Sequence, residues 1–196
     1  MLPDKREISE SLYGSWLLAR QDIGGYGRFV CTTDGFWRSF AAIILIAPFY
    51  FSFASLERDL VAAVQNAAQN VPGSAFYVAK AVALIADWAG YPLLVAAVAG
   101  LLGFTERYAL YIIAYNWSSV LVIGFLSPPF LLHGLGLIEA RSAVLLTLIL
   151  SLPVLYYRWY IARTALETTA LTATGLVLLD LSLSMLVNKG AERLFG

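Results

Sequence analysis

Tyr77–Gly103 reads YVAKAVALIADWAGYPLLVAAVAGLLG, and this stretch decides the fold class. As a helix it spans ~40 Å at ~1.5 Å per residue, enough to cross a hydrocarbon core of ~30 Å. Asp87 lies near its middle and Gly90-Tyr91-Pro92 follows directly. A carboxylate inside an apolar segment is costly, and a proline there removes one amide donor from the helix ladder. Asp87 is therefore a candidate intramembrane site residue, and Gly90 with Pro92 a candidate hinge. Ala79, Ala83, Ala86 and Gly90 form a small-residue face, and Ala96/Gly100 and Ala99/Gly103 repeat the spacing that lets helix backbones approach closely.

The rest of the chain agrees with a membrane reading. Of 196 residues, 60% are hydrophobic and 13% charged, against roughly 25% charged in soluble domains. Ten of the 26 charges fall within the first 38 residues. Residues 1–36 thus read as a polar head, cytoplasmic or interfacial, on a membrane body covering 37–196. Net charge is zero and no Lys/Arg run occurs, which argues against nucleic acid as a partner, since phosphate neutralisation needs clustered cations. A single cysteine, Cys31, rules out an internal disulfide and any multi-cysteine metal site. Gly24-Gly25-Tyr26-Gly27 matches no phosphate-loop spacing. No Gly-x-Ser-x-Gly, His-Glu-x-x-His or Cys-x-x-Cys is present. The expectation is no enzyme, no cofactor and no metal. The apolar run starts too late for a secretory signal, so the first span is expected to act as an uncleaved insertion signal.

Five spans follow: 37–55, 77–103, 108–126, 142–161 and 168–187, an all-α polytopic bundle. In the head, Ile8, Leu12 and Trp16 recur at helical spacing, suiting either the lipid headgroup layer or packing on the body. Glu57–Ala75 is a polar excursion expected to hold a short surface helix ending near Pro72-Gly73. The short Phe104–Arg107 turn should return segment three beside segment two. Pro128-Pro129 should end or bend segment three, leaving Phe130–Ile138, with the sole histidine His133, as an interfacial or re-entrant return. Tyr156, Tyr157, Arg158, Trp159, Tyr160 and Arg163 read as an interface belt with snorkelling arginines. Lys and Arg number eight on the side holding the head and the 2–3 and 4–5 loops, and five on the other. That asymmetry favours a cytoplasmic N-terminus and an exported C-terminus.

Asp87, Asn116 and Asp180 are the candidate intramembrane polar site. Counted from the expected span ends, all three fall within ~6 Å of one depth. Each aspartate costs ~2.5–3.5 kcal/mol at a helix centre, so such groups face the bundle interior, pair, or hold a proton. Thr169, Thr172, Leu176, Asp180 and Ser184 share one helix face. One reading is a proton or cation site; the other is hydrogen-bonded glue fixing helix register. His133 alone cannot form a multi-histidine metal site, although a histidine can serve as a pH sensor. Cys31, just before the first span, is a place where acylation could occur.

The five-span plan with a polar head and short exported end resembles the Rab-interacting (Yip-type) membrane protein family and its bacterial relatives. The resemblance covers Trp37 to Val187, with Gly90-Tyr91-Pro92-Leu93 as its local point of similarity. Asp34-Gly-Phe-Trp-Arg-Ser-Phe40 and Tyr115-Asn-Trp-Ser-Ser119 are similar to stretches of uncharacterised proteobacterial integral membrane proteins. This implies a bacterial inner membrane and carries over no functional residue. The expected function is a non-enzymatic membrane scaffold whose partners are the lipid bilayer and, through its Gly/Ala faces, other membrane proteins or a second copy. The alternative is a small proton- or cation-coupled transporter using Asp87 and Asp180.

Overall fold

Apolar side chains cover the outside of this molecule, and much of its polar chemistry lies within. The computed structural model describes residues 2–65 and 73–195, with side chains for 2–54, 74–191 and 193. Leu101, Leu171 and Leu93 are 87%, 83% and 70% exposed, whereas Asn116, Ser118 and Ser119 are buried. Exposed apolar area costs roughly 25 cal/mol per Å² in water, so this surface belongs in lipid. Among the described residues, five helices are long and apolar enough to cross a membrane: Thr33–Ala54, Ser74–Leu102, Thr105–Gly134, Ala140–Ala165 and Ala170–Ala191. The chain is a polytopic all-α bundle.

The head comprises α1 (Lys5–Ala19), a 3₁₀ turn at Ile23–Arg28 and α2 (Thr33–Ser39). Asp4 starts α1 by accepting from the Glu7 amide at 2.7 Å, and Thr32 starts α2 by accepting from the Gly35 amide at 3.1 Å. The face of α1 turned to the body carries Ser11, Gly14, Ser15 and Leu18, with Ile8 and Leu12 at its edges. Of the three residues grouped by spacing, Ile8 and Leu12 pack on the body and Trp16 points outward. Small residues win the contact because they let backbones meet: a Cβ added at Gly14 would lie 2.7 Å from the Gly25 carbonyl oxygen. Within Gly24-Gly25-Tyr26-Gly27, Gly25 is thus the close contact to α1.

The body contains α3 (Ala42–Gln65), α4 (Gly73–Leu102), α5 (Tyr108–Gly134), α6 (Ala140–Ala165) and α7 (Ala170–Phe195). Here α3 continues to Gln65 without a break, because Glu57–Gln65 holds good helix formers and neither Gly nor Pro. The expected end of a surface helix near Pro72-Gly73 falls on residues 66–72, outside the described part. Segment three likewise runs on through Pro128-Pro129 to Gly134, so the return expected at Phe130–Ile138 is mostly helix. The Ser127 hydroxyl donates to the Gly124 carbonyl at 2.8 Å, the carbonyl that Pro128 has no amide to satisfy.

The chief pairings join α4 to α7, α7 to α6, α6 to α5 and α5 to α3, with α1 and α2 against α5. Despite the short turn, α4 lies mainly on α7 rather than on α5. Ala79 and Ala83 pack against Ala191, and Gly90 leaves room for Leu183, 3.3 Å from where a Cβ would stand. Ala96 and Gly100 face outward. Gly103 closes α4 at φ +76°, with the Phe104 amide donating back to the Ala99 carbonyl at 3.1 Å. Arg107 and Glu167 pair at 2.6 Å, tying the α4–α5 turn to the α6–α7 turn on the head side.

Candidate functional site: a polar cluster among α4, α5, α6 and α7

Helical repetition assembles the cluster. On α7, Asp180, Ser184 and Asn188 follow at four-residue steps and form one stripe; on α4, Asp87 and Tyr91 do the same, as do Tyr111 and Tyr115 on α5. Where the stripes meet, the Ser184 hydroxyl lies 2.9 Å from both Asp87 carboxylate oxygens. Asn188 Nδ2 donates to the Ser184 carbonyl at 2.8 Å. Tyr115 donates its phenol to Asp180 Oδ1 at 2.7 Å. The Tyr91 and Tyr111 hydroxyls sit 2.6 Å apart, and Tyr91 also reaches the Leu176 carbonyl at 3.4 Å.

Arg158 completes the arrangement. Its guanidinium lies 3.9 Å from the Tyr115 ring centroid and donates to the Tyr115 carbonyl at 3.1 Å, Ser118 Oγ at 3.2 Å and Ser119 Oγ at 2.8 Å. Sequence reasoning placed this arginine in the interfacial belt; it is directed instead between helices. The reason is the 100° turn per residue of α6, which splits the presumed belt into three faces. Tyr156, Trp159 and Arg163 form the outer face, with the two rings stacked at 5.7 Å and the guanidinium 5.1 Å from the indole. Tyr157 and Tyr160 hold the head, donating to the Ser15 carbonyl at 2.7 Å and the Gln21 carbonyl at 2.8 Å. Arg158 takes the third face. The signal that marks it is the run of acceptors in Tyr115-Asn-Trp-Ser-Ser119.

Of the expected trio, Asp87 and Asp180 share the α4–α7 seam, both half-buried. Asn116 does not join them. Fully buried, it donates from Nδ2 to Ser39 Oγ at 2.9 Å, and its Oδ1 has no hydrogen-bond partner among the described residues. Tyr115 and Asn116 are consecutive, so facing Asp180 with one turns the other toward α2. The candidate hinge pair lies within unbroken helix, where the Pro92 carbonyl accepts from Tyr108 at 3.0 Å. His133 Nδ1 lies 2.9 Å from the Ile138 carbonyl, closing the end of α5.

Outside the spans, burial pushes the Tyr26 phenol well above its ordinary range, partly offset by its 2.7 Å hydrogen bond to Thr164. Cys31 stands at an open cleft lined by Thr32, Thr33, Phe36, Tyr108 and Ala109, and partial desolvation raises its thiol pKa. Among the described residues no group of three or more His, Cys, Asp or Glu is placed to hold a metal ion. No protein-family model, curated protein or solved structure matches the chain.

Proposed function

We propose that this chain is a non-enzymatic inner-membrane scaffold, with its head in the cytoplasm, that works through lateral contacts of its lipid-embedded helices. One observation carries the reading: Asp87 and Asp180 are each already engaged by a hydroxyl from a neighbouring helix, Ser184 and Tyr115 respectively. Arg158, held by α5, supplies compensating charge beside Asp180. Groups bonded in this way join helices and fix their rotation. The resemblance to Yip-type proteins in span number and head placement fits the same reading. Reconstitution of Asp87→Asn and Asp180→Asn tests it: folding and abundance stay close to those of the parent, and vesicles show no pH-dependent flux that the substitutions remove.

A second reading rests on Asp87. One serine hydroxyl serves both of its oxygens, leaving lone pairs for a proton or cation. Loss of a pH-dependent flux in correctly folded Asp87→Asn and Asp180→Asn would establish proton- or cation-coupled transport and end the scaffold reading.

A further inference from the structure

The outward face of α1 has a composition that its inward packing does not use. Arg6, Ser9, Tyr13, Trp16 and Arg20 follow at steps of three and four residues, so they form one stripe, opposite to the face carrying Ser11, Ser15 and Leu18. All five are exposed, Tyr13 by 48% and Trp16 by 53%, and Lys5 flanks them. Arg28, neutralised by Glu10, packs its guanidinium 5.2 Å from the Tyr13 ring. The acids Glu7 and Glu10 are drawn aside into pairs with Arg38 at 2.8 Å and Arg28 at 3.0 Å.

One further observation sets the level of this stripe. Tyr157, whose phenol holds the Ser15 carbonyl, stands eight residues before the end of α6, ~12 Å inward along the helix. The head therefore lies beside the span ends, not beyond them. On α6 itself Leu152 and Tyr156 are exposed. Aromatic rings flanked by arginines suit the layer between hydrocarbon and phosphate.

We propose that the Lys5/Arg6–Tyr13–Trp16–Arg20 stripe docks on an anionic lipid surface, the cations meeting lipid phosphates and the rings lying among the headgroups. The proposal is independent of the role of Asp87 and Asp180. The test uses the full chain with Cys31→Ser and Ser9→Cys, a nitroxide on the new thiol, reconstituted in phosphatidylcholine vesicles with or without phosphatidylglycerol. Depth is read as the ratio of collisions with oxygen to collisions with a polar nickel chelate. Phosphatidylglycerol should raise this ratio about threefold or more, and high salt should reverse the rise because the contacts are screened. The same protein with Lys5→Gln, Arg6→Gln and Arg20→Gln should lose the rise while keeping its fold. An unchanged ratio, or a rise insensitive to salt and to these substitutions, overturns the proposal. Protection equal in both lipids that grows with protein-to-lipid ratio also overturns it, and assigns the stripe to a second copy of the chain.

Discussion

Tyr115 donates its hydroxyl to Asp180 at 2.7 Å while the Arg158 guanidinium lies 3.9 Å from the centroid of the same ring. One side chain therefore stands between the acid of α7 and the base of α6, bonded to both. Removing the phenol oxygen with Tyr115→Phe keeps the ring under Arg158 and deletes only the bond to Asp180. The expected cost is about 1 kcal/mol, the range for hydrogen bonds between membrane helices. A double-mutant cycle with Asp180→Ala should recover a coupling of similar size, measured by reversible unfolding in mixed micelles. Additive single effects would remove the link.

Arg158 gives a sharper contrast. Arg158→Gln disrupts the donation to Tyr115, Ser118 and Ser119 and should cost about 2 kcal/mol, in the range for hydrogen bonds to a charged group. Arg158→Lys should recover less than half of that, since an ammonium cannot stack flat on Tyr115 while donating to Tyr115, Ser118 and Ser119. A snorkelling arginine would predict a near-neutral Lys exchange, so the two thermal midpoints decide the matter.

Gly35 probes the head. A Cβ there would collide with the Val30 carbonyl, which is backbone and cannot swing away. Gly35→Ala should destabilise the α1–α2 head by about 2 kcal/mol, an overpacking cost. Limited proteolysis should then cut between α1 and α2 faster than in the parent, with the spans left intact. Gly27→Ala, where nothing lies within 4 Å, serves as the silent control.

Ser127→Ala tests the double-proline segment. It removes the hydroxyl that serves the Gly124 carbonyl and should cost about 1 kcal/mol. With Pro128→Ala the amide donor returns, so the serine should become dispensable. A Ser127→Ala cost that is unchanged in the Pro128→Ala background would refute the compensation.

Cys31 offers a pH test outside the membrane. The thiolate is the reactive form, and a thiol pKa raised by desolvation means less thiolate at neutral pH. Maleimide labelling at pH 7 should be slower than for a model peptide thiol, and the rate should keep rising at pH values where the peptide has levelled off. Labelling as fast as the peptide at pH 7 would contradict the raised pKa.

The five candidate membrane helices were legible in the length of the apolar runs. Azimuth was not. Tyr115 and Asn116 have nearly the same depth, yet one turns to Asp180 and the other to Ser39. Reading residues 156–163 as a block hid Arg158 for the same reason, since composition averages over faces that a helix separates. Pro128-Pro129 misled because the compensating donor is a side chain, Ser127, and the backbone pattern alone does not count it.

Tyr157 and Arg158 are neighbours in α6, yet the first grips the backbone of α1 and the second grips α5 beside Asp180. Their adjacency makes one turn of α6 a shared fulcrum. The latch that seats the head and the cation packed on Tyr115 therefore stand one residue apart on the same helix.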